Sequence, residues 1–242
     1  MNLVRQFLYG LWFYFSIGVW GVGGLPLGLS SRHGALKVMT SWCASQRWAL
    51  RLICGVTVEI RGAERIPDGG CLIAMKHQST FDVVAPFLFL PDPAFTPKDE
   101  LRKAPIFGFY VVRSKMIMLD RAGGAKTMRL LLSESKAAVK DGRQVLIFPE
   151  GTRQPVGAPP DYKPGVAGLY RSIDAPCIPV ALNTGLVWPG SRFPSKPGRI
   201  IFEILPAIEP GLDRETFLQR LQDAIEPATE RLVAEARTSG GA

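Results

Sequence analysis

The amino-terminal part of the chain contains one long hydrophobic stretch without charge. Residues 7–29 include no charged side chain, and as a helix these 23 residues would be about 35 Å long, enough for a hydrocarbon core of about 30 Å. Several glycines and Pro26 in its second half weaken a helix there. Residues 32–54 then mix basic side chains with tryptophan and aliphatic residues, which is typical of an amphipathic helix on a membrane surface.

Three arrangements of residues 1–54 agree with this pattern: a hairpin of two helices that enters one leaflet, a transmembrane anchor, and a cleaved secretory signal. A signal peptide is least favoured, because the apolar stretch is too long and only Arg5 precedes it. We expect the hairpin, since glycine interrupts the run that a transmembrane helix would need. Its basic residues would bind anionic headgroups, and they are Arg32, Lys37, Arg47 and Arg51.

From Gly55 onward, short apolar runs alternate with longer helical stretches, which is the pattern of an α/β domain. The predicted strands are 56–61, 71–76, 116–119, 144–148, 178–183 and 199–205. The predicted helices are 81–90, 125–140, 166–173 and 214–237, the last with a kink or break before Pro227. We therefore expect an α/β fold, a mixed sheet flanked by helices, over residues 55–242, preceded by a membrane-associated helical segment over residues 1–54.

Composition narrows the classes of function. The 242 residues are 47% hydrophobic and 21% charged, which excludes disordered and fibrous proteins. The net charge of +8 suits an anionic partner, and nucleic acid, an anionic membrane surface and a phosphorylated small molecule all qualify. Four dispersed cysteines and two histidines show no metal-ligand spacing, so we expect no metal site and no disulfide framework.

Polar residues follow two of the predicted strands. His77 comes directly after the strand at 71–76, and Asp82 lies in the first turn of the next predicted helix. A carboxylate that accepts a hydrogen bond from the imidazole fixes its tautomer and makes the other ring nitrogen a general base for a hydroxyl. The spacing by itself fits a surface histidine beside a helix cap equally well.

The second polar stretch, Glu150, Gly151, Thr152 and Arg153, follows the strand at 144–148. The glycine permits a tight turn whose amides can point at an anion, and a guanidinium suits bidentate phosphate binding. Neither a P-loop nor a dinucleotide-binding glycine motif occurs in the chain. Another turn, which includes Arg121, closes the predicted strand at 116–119.

Four blocks in this order resemble the glycerolipid acyltransferase superfamily, in particular the 1-acyl-sn-glycerol-3-phosphate acyltransferases. The blocks are residues 77–82, 118–121, 148–153 and 178–181, and the resemblance covers residues 55–205. It implies that His77 is the catalytic base and that Asp82 orients its imidazole. It also implies that residues of the second and third blocks bind the acceptor phosphate together with a lysine that precedes the second block. The implied phosphate-binding residues are Lys98, Arg121, Glu150, Gly151, Thr152 and Arg153.

The resemblance further implies direct transfer of an acyl chain from acyl-CoA or acyl carrier protein to the sn-2 hydroxyl of a lysophospholipid. The reaction would need no cofactor beyond the donor substrate, and it would occur at the cytoplasmic face of the inner membrane. Another lysophospholipid or a lyso-ornithine lipid could be the acceptor. A basic membrane-binding protein without catalysis is the alternative of another class, whereas nucleic acid is not an expected partner because no binding motif is present.

Overall fold

The amino terminus forms three helices in a computed structural model that describes residues 3–97, 102–118, 124–190 and 192–239. Helices α1 (Leu3–Gly23), α2 (Leu25–Ser30) and α3 (Arg32–Ala49) follow one another, and a π-helical turn, Leu50–Cys54, extends α3. Ser31 caps α3, because its hydroxyl accepts a hydrogen bond from the Gly34 N–H at 2.9 Å. Among the described residues, no helix is both long enough and apolar enough to cross a bilayer.

Glycine affects α1 differently from the sequence prediction. The helix continues through Gly18 and Gly21 and ends only at Gly23. A Cβ at Gly21 would lie 2.0 Å from Cγ2 of Ile106, so this glycine allows α1 to contact a distant segment of the chain. The predicted interruption is confirmed at Gly24, which separates α1 from α2, but the helix is not interrupted at Gly18 or Gly21.

The basic residues of the second amphipathic stretch do not all face solvent. Lys37, Arg47 and Arg51 are exposed. Arg32 instead pairs with Asp92, with its Nη1 2.8 Å from Oδ1. The expectation that Arg32 binds headgroups was therefore wrong, since its guanidinium is committed to an internal salt bridge.

The remainder of the chain contains one six-stranded sheet. Its strands are β1 (Val56–Arg61), β2 (Cys71–Met75), β3 (Pro93–Phe95), β4 (Gln144–Ile147), β5 (Cys177–Leu182) and β6 (Gly198–Ile204). Their spatial order is β1, β6, β5, β2, β4, β3, and every neighbouring pair is parallel except β5 with β6. The predicted α/β fold with a mixed sheet is confirmed.

Helices cover both faces of this sheet. Between and after the strands lie α4 (Phe81–Val84), α5 (Phe107–Arg113), α6 (Gly124–Lys140), α7 (Pro164–Ile173) and α8 (Arg214–Ser239). Because side chains alternate along a strand, Ile73 and Met75 pack with α1 and α3, whereas Leu72 and Ala74 pack with α7 and α8. The amino-terminal helices thus share a hydrophobic core with the sheet.

Three element predictions were wrong. Residues 116–118 are not a strand, because Met116 is still bonded to the end of α5 and only the Ile117 N–H reaches β3, at 3.1 Å from the Phe95 carbonyl. The helix predicted at 81–90 is α4 followed by a 3-10 turn, since Pro86 has no N–H to continue the ladder. The break predicted before Pro227 is absent, because α8 runs on through the proline with Ile225 and Ala228 buried in the core on either side of it.

Candidate active site

Parallel pairing of β2 and β4 brings two of the polar stretches to one edge of the sheet. Ala74 is opposite Ile147, and His77 and Glu150 each follow three residues beyond this pair. In open α/β sheets, ligands bind outside the carboxyl ends of the strands. Residues 77–82 and 148–153, which are distant in sequence, therefore form one site.

The site contains a histidine and aspartate pair. Nδ1 of His77 lies 3.0 Å from Oδ2 of Asp82, and the same oxygen accepts the backbone N–H groups of Gln78 at 2.6 Å and Ser79 at 2.7 Å. The aspartate is fully buried at the start of α4. An ionised Asp82 accepts the proton of Nδ1, which leaves the Nε2 lone pair of His77 available as a base.

The imidazole and its main chain are held from several sides. The ring of His77 stacks on Phe148 with a centroid distance of 3.9 Å and an interplanar angle of 14°. Its carbonyl accepts the Gln154 N–H at 2.8 Å, and its own N–H donates to Oε2 of Glu150 at 3.0 Å. The contacts of Phe148 and Gln154 were not predicted, because nothing in the sequence indicates that the third block packs against the first.

The carboxylate of Glu150 is held by hydrogen bonds inside the protein. It is only 1% exposed, and its second oxygen, Oε1, accepts a hydrogen bond from Nζ of Lys76 at 2.9 Å. Lys76 in turn donates to both oxygens of Glu226 on α8, at 2.8 and 2.9 Å. Tyr162 donates to the same carboxylate at 2.6 Å, and burial together with this hydrogen bond raises the pKa of its phenol well above the ordinary value.

The other predicted phosphate-binding residues differ in their positions. Gly151 has a φ of +68°, which the turn after Glu150 requires, and Thr152 is exposed beside it. Arg153 is partly exposed and lines a cavity next to the histidine loop. Lys98 and Arg121 lie outside the described residues.

An apolar cavity of about 540 Å³ adjoins the site. Thr80, three residues after His77, lines it together with Arg153. Most of the remaining lining is hydrophobic and comes from the amino-terminal helices and from residues 83–110, including Phe13, Trp20, Trp42, Val84, Phe87 and Ile106. This volume is within the range of roughly 300–1,000 Å³ that is usual for small-molecule sites. The sequence did not reveal the cavity, because its walls come from separate segments of the chain.

Within the described ranges, no three histidine, cysteine, aspartate or glutamate side chains are grouped so that they could hold a metal ion. All four cysteines are buried free thiols, and burial raises the pKa of Cys177 above its ordinary range. The reactive group that the geometry offers is the imidazole of His77.

Known proteins share both the sequence and the fold. Residues 57–183 match the family model described as Acyltransferase. The 1-acyl-sn-glycerol-3-phosphate acyltransferase of Pseudomonas aeruginosa is 31% identical over 237 residues, which cover 97% of this chain and 92% of that protein. The 1-acyl-sn-glycerol-3-phosphate acyltransferase alpha of Mus musculus is 26% identical over 195 residues, with 78% and 68% covered.

The fold has an equally extensive match. The crystal structure of the 1-acyl-sn-glycerophosphate (LPA) acyltransferase, PlsC, from Thermotoga maritima is similar with a TM-score of 0.81 and 25% sequence identity. The match covers 96% of this chain and 98% of that one, so it includes the amino-terminal helices as well as the sheet. The family prediction made from the four sequence blocks is confirmed, and the chain belongs to the acyltransferase family.

Proposed function

We propose that the protein transfers an acyl chain from an acyl thioester, either acyl-CoA or acyl carrier protein, to the sn-2 hydroxyl of 1-acyl-sn-glycerol-3-phosphate. The product is phosphatidic acid. The single observation that carries this proposal is the buried pair of His77 and Asp82 beside an apolar cavity that Arg153 also lines. Relatives in Pseudomonas aeruginosa and Mus musculus carry the name of this activity.

The imidazole supplies the proton transfers of the reaction. Nε2 of His77 accepts the proton of the sn-2 hydroxyl while the alkoxide oxygen attacks the thioester carbonyl carbon. Collapse of the tetrahedral intermediate breaks the C–S bond, and the imidazolium returns the proton to the departing thiolate. Asp82 stabilises the positive charge on the ring between these two steps. An acyl-enzyme is not needed, which agrees with the burial of every cysteine.

Cations bind the acceptor phosphate in this proposal. Arg153 follows Glu150, which binds the backbone of His77, in the same turn, and Arg153 lines the cavity beside the histidine loop. A planar guanidinium matches two phosphate oxygens at once. We assign Lys98 and Arg121 to the same phosphate from their sequence blocks, and Gly151 and Thr152 to the turn that shapes the pocket. Glu150 acts behind the site, because its carboxylate is engaged with Lys76 and His77.

The apolar cavity accommodates an acyl chain. Its aromatic and aliphatic walls exclude water, and its lining includes Thr80, close in the chain to the catalytic histidine. Burial of each methylene group contributes about 0.8 kcal/mol, so a long chain binds through many small increments. The carbonyl end of such a chain would then lie near His77.

Membrane binding completes the proposed function. Helices α1 and α2 expose a series of large hydrophobic side chains, which include Leu3, Phe7, Leu11, Tyr14, Phe15 and Val22. Trp48 and Leu52 are exposed near Arg47 and Arg51 at the end of α3. Apolar residues flanked by cations suit an anionic bilayer surface. We propose that this surface docks on the cytoplasmic face of the inner membrane, where lipid acceptor and water-soluble donor meet.

Acyl transfer by the purified protein would test the proposal. Radiolabelled acyl-CoA and acyl carrier protein are each supplied with vesicles that contain 1-acyl-sn-glycerol-3-phosphate, other lysophospholipids or a lyso-ornithine lipid. We expect labelled phosphatidic acid to form fastest, and a His77→Ala variant provides the blank. Preference for another acceptor would contradict the proposed substrate, and hydrolysis of the thioester without transfer would contradict the reaction.

A further inference from the structure

One lysine is buried directly before the catalytic histidine. Lys76 is only 3% exposed, although lysine is almost never fully buried unless it is paired. Its ammonium lies within hydrogen-bond distance of three carboxylate oxygens, one from Glu150 and two from Glu226. Lysine has three N–H donors, so each has an acceptor. An ammonium that is this deeply buried, and whose hydrogen-bond donors all have acceptors, is held in a single orientation.

This lysine is connected to the catalytic main chain through Glu150. One oxygen of Glu150 accepts from Lys76, and the other accepts from the backbone N–H of His77 at 3.0 Å. Beyond the last paired residues of β2 and β4, the backbone N–H of Lys76 still donates to the Val180 carbonyl of β5 at 3.1 Å, whereas the N–H of His77 donates to the Glu150 side chain. The carboxylate of Glu150 therefore accepts the backbone hydrogen bond of His77 that a carbonyl of a neighbouring strand would accept within the sheet.

Helix α8 provides the outer part of the cluster. Glu226 binds Lys76 with both oxygens, and its side chain is 18% exposed. Tyr162 donates to Oε1 of Glu226, and its phenol, whose pKa is ordinarily about 10 and is raised further by burial, is a neutral donor at pH 7. One ammonium thus binds two carboxylates, and a neutral phenol donates to the outer one. No part of the proposed proton transfer uses these three residues.

We propose that Lys76, Glu226 and Tyr162 are positioning residues of the acyl transfer, because they hold Glu150 in the orientation that fixes the backbone of His77. Through them, the packing of α8 on the sheet determines where the imidazole stands relative to the acceptor hydroxyl. The kinetic part of this inference rests on the proposed acyl transfer, whereas its structural part does not. An error of 1 Å in such a position costs about 100-fold in rate.

The test uses substitutions that keep side-chain shape. Glu226→Gln removes a charge, Tyr162→Phe removes one hydroxyl, and Lys76→Met removes the ammonium. The matched control is Glu235→Gln, because Glu235 is on the same helix and binds Arg61 of β1 at 2.7 Å, away from the catalytic loop. For each protein, kcat and the KM for 1-acyl-sn-glycerol-3-phosphate are measured at a temperature where circular dichroism shows a folded protein.

We expect kcat to fall about tenfold in Glu226→Gln and about 100-fold in Lys76→Met, with little change in KM. Tyr162→Phe should lower kcat by a few-fold only, since Glu226 keeps its contacts with Lys76. The double variant with Lys76→Met and Glu226→Gln should resemble Lys76→Met alone, because both changes act through Glu150. Equal kcat in Glu226→Gln and Glu235→Gln would overturn the inference.

Hydrogen exchange separates this inference from the proposed function. Exchange of the His77 amide should accelerate in Lys76→Met and Glu226→Gln but not in Glu235→Gln, whatever substrate the enzyme uses. One outcome is that the unmodified protein fails to acylate 1-acyl-sn-glycerol-3-phosphate while exchange of the His77 amide is still faster in the two variants. That result would refute the proposed acceptor and support the role of Lys76 and Glu226. Unchanged exchange in both variants would refute the cluster, even if acyl transfer is observed.

Discussion

At the scale of single residues, the chemistry depends on how the side chains of His77 and Asp82 are fixed. Asp82 accepts two backbone N–H groups besides the imidazole, so its position does not depend on the histidine. His77 is also stacked on Phe148 and bonded through both of its backbone groups. The proposed base is therefore preorganised, and such preorganisation removes part of the entropic cost of reaching the transition state.

Replacement of the proposed base, His77, should slow transfer strongly without unfolding the protein. His77→Ala removes the proposed general base, and such a loss costs about 10² to 10⁴ in kcat. The matched control is His33→Ala, since His33 is exposed on α3. Activity of both proteins is measured with acyl-CoA and vesicle-bound acceptor. Near-normal turnover of the His77 variant would rule out the mechanism.

Loss of the Arg153 guanidinium should mainly weaken binding of the acceptor. Arg153→Ala removes charge-assisted hydrogen bonds to the phosphate, each worth about 1.5 to 3 kcal/mol, and thus should raise the acceptor KM by at least about tenfold. The donor KM should change little. Arg171→Ala, on the exposed side of α7, is the control. Parallel losses for donor and acceptor would indicate that Arg153 maintains the fold instead.

At the scale of elements, close contacts join the amino-terminal helices to the rest of the chain. The hydroxyl of Tyr110 on α5 donates to the Gly21 carbonyl of α1 at 2.8 Å. Arg32 at the start of α3 pairs with Asp92, next to β3. The cavity beside the active site is enclosed by these elements, so their contacts determine its shape.

Two glycines of α1 should respond oppositely to alanine. At Gly21 the added Cβ would lie 2.0 Å from Ile106, so Gly21→Ala should destabilise the protein by about 1–3 kcal/mol. At Gly18 no atom lies within 4 Å of an added Cβ. Gly18→Ala should therefore stabilise the helix by up to about 1 kcal/mol. Urea unfolding of both variants measures the difference, and a stable Gly21→Ala protein would contradict the close packing.

The salt bridge between Arg32 of α3 and Asp92, next to β3, should make the free energy of unfolding depend on pH. Burial alone would raise the pKa of Asp92, but hydrogen bonds and charges of Arg32 and Arg143 outweigh it and hold the pKa below its ordinary value. The carboxylate therefore stabilises the fold fully above its unfolded pKa of about 3.9, and this stabilisation disappears as pH falls through the lower folded value.

Asp92→Asn tests this linkage. It leaves the buried Arg143 without its carboxylate, so the free energy of unfolding at pH 7 should fall by about 3 kcal/mol. The deficit should shrink in acid, where the native carboxylate is protonated too. Asp161→Asn, which breaks the exposed pair with Lys163, is the control and should have little effect. A deficit that is constant with pH would exclude the charge as its cause.

At the scale of the whole molecule, the exposed apolar side of the amino-terminal helices and the catalytic edge of the sheet adjoin one cavity. Deletion of residues 1–54 cannot separate membrane binding from folding, because Tyr9, Leu36 and Met39 belong to the buried core. Substitution of exposed side chains keeps that core intact. The surface can then be tested in the folded enzyme.

Negative charges introduced on the exposed apolar surface of α1 should release the protein from vesicles. Phe7→Glu with Leu11→Glu should reduce sedimentation with anionic vesicles and lower activity on vesicle-bound acceptor more than on a short-chain soluble analogue. Binding of the unmodified protein should persist in high salt, since apolar burial is not screened. The control is Leu130→Glu, an exposed position on α6 at the other face of the sheet. Equal release by the control would contradict docking through α1.

The sequence alone determined the features that depend on local pattern. Apolar periodicity predicted five of the six strands and most of the long helices, because a strand or helix of sufficient length carries its own signal. The four blocks likewise identified the family and the order His77, Asp82, Glu150, Arg153. Short elements such as β3 and α5 were missed, since three or seven residues do not establish a period.

Tertiary structure decided the partners of each side chain. Glu150 belongs by sequence to a phosphate-binding block, yet parallel pairing of β2 with β4 points its carboxylate at Lys76 and at the backbone of His77. Glu226 is 150 residues from Lys76, and no local pattern relates the two positions. The sequence states which side chains are apolar and which are charged. Which of them are buried, and which atoms they contact, is decided only when distant segments of the chain pack together and exclude water.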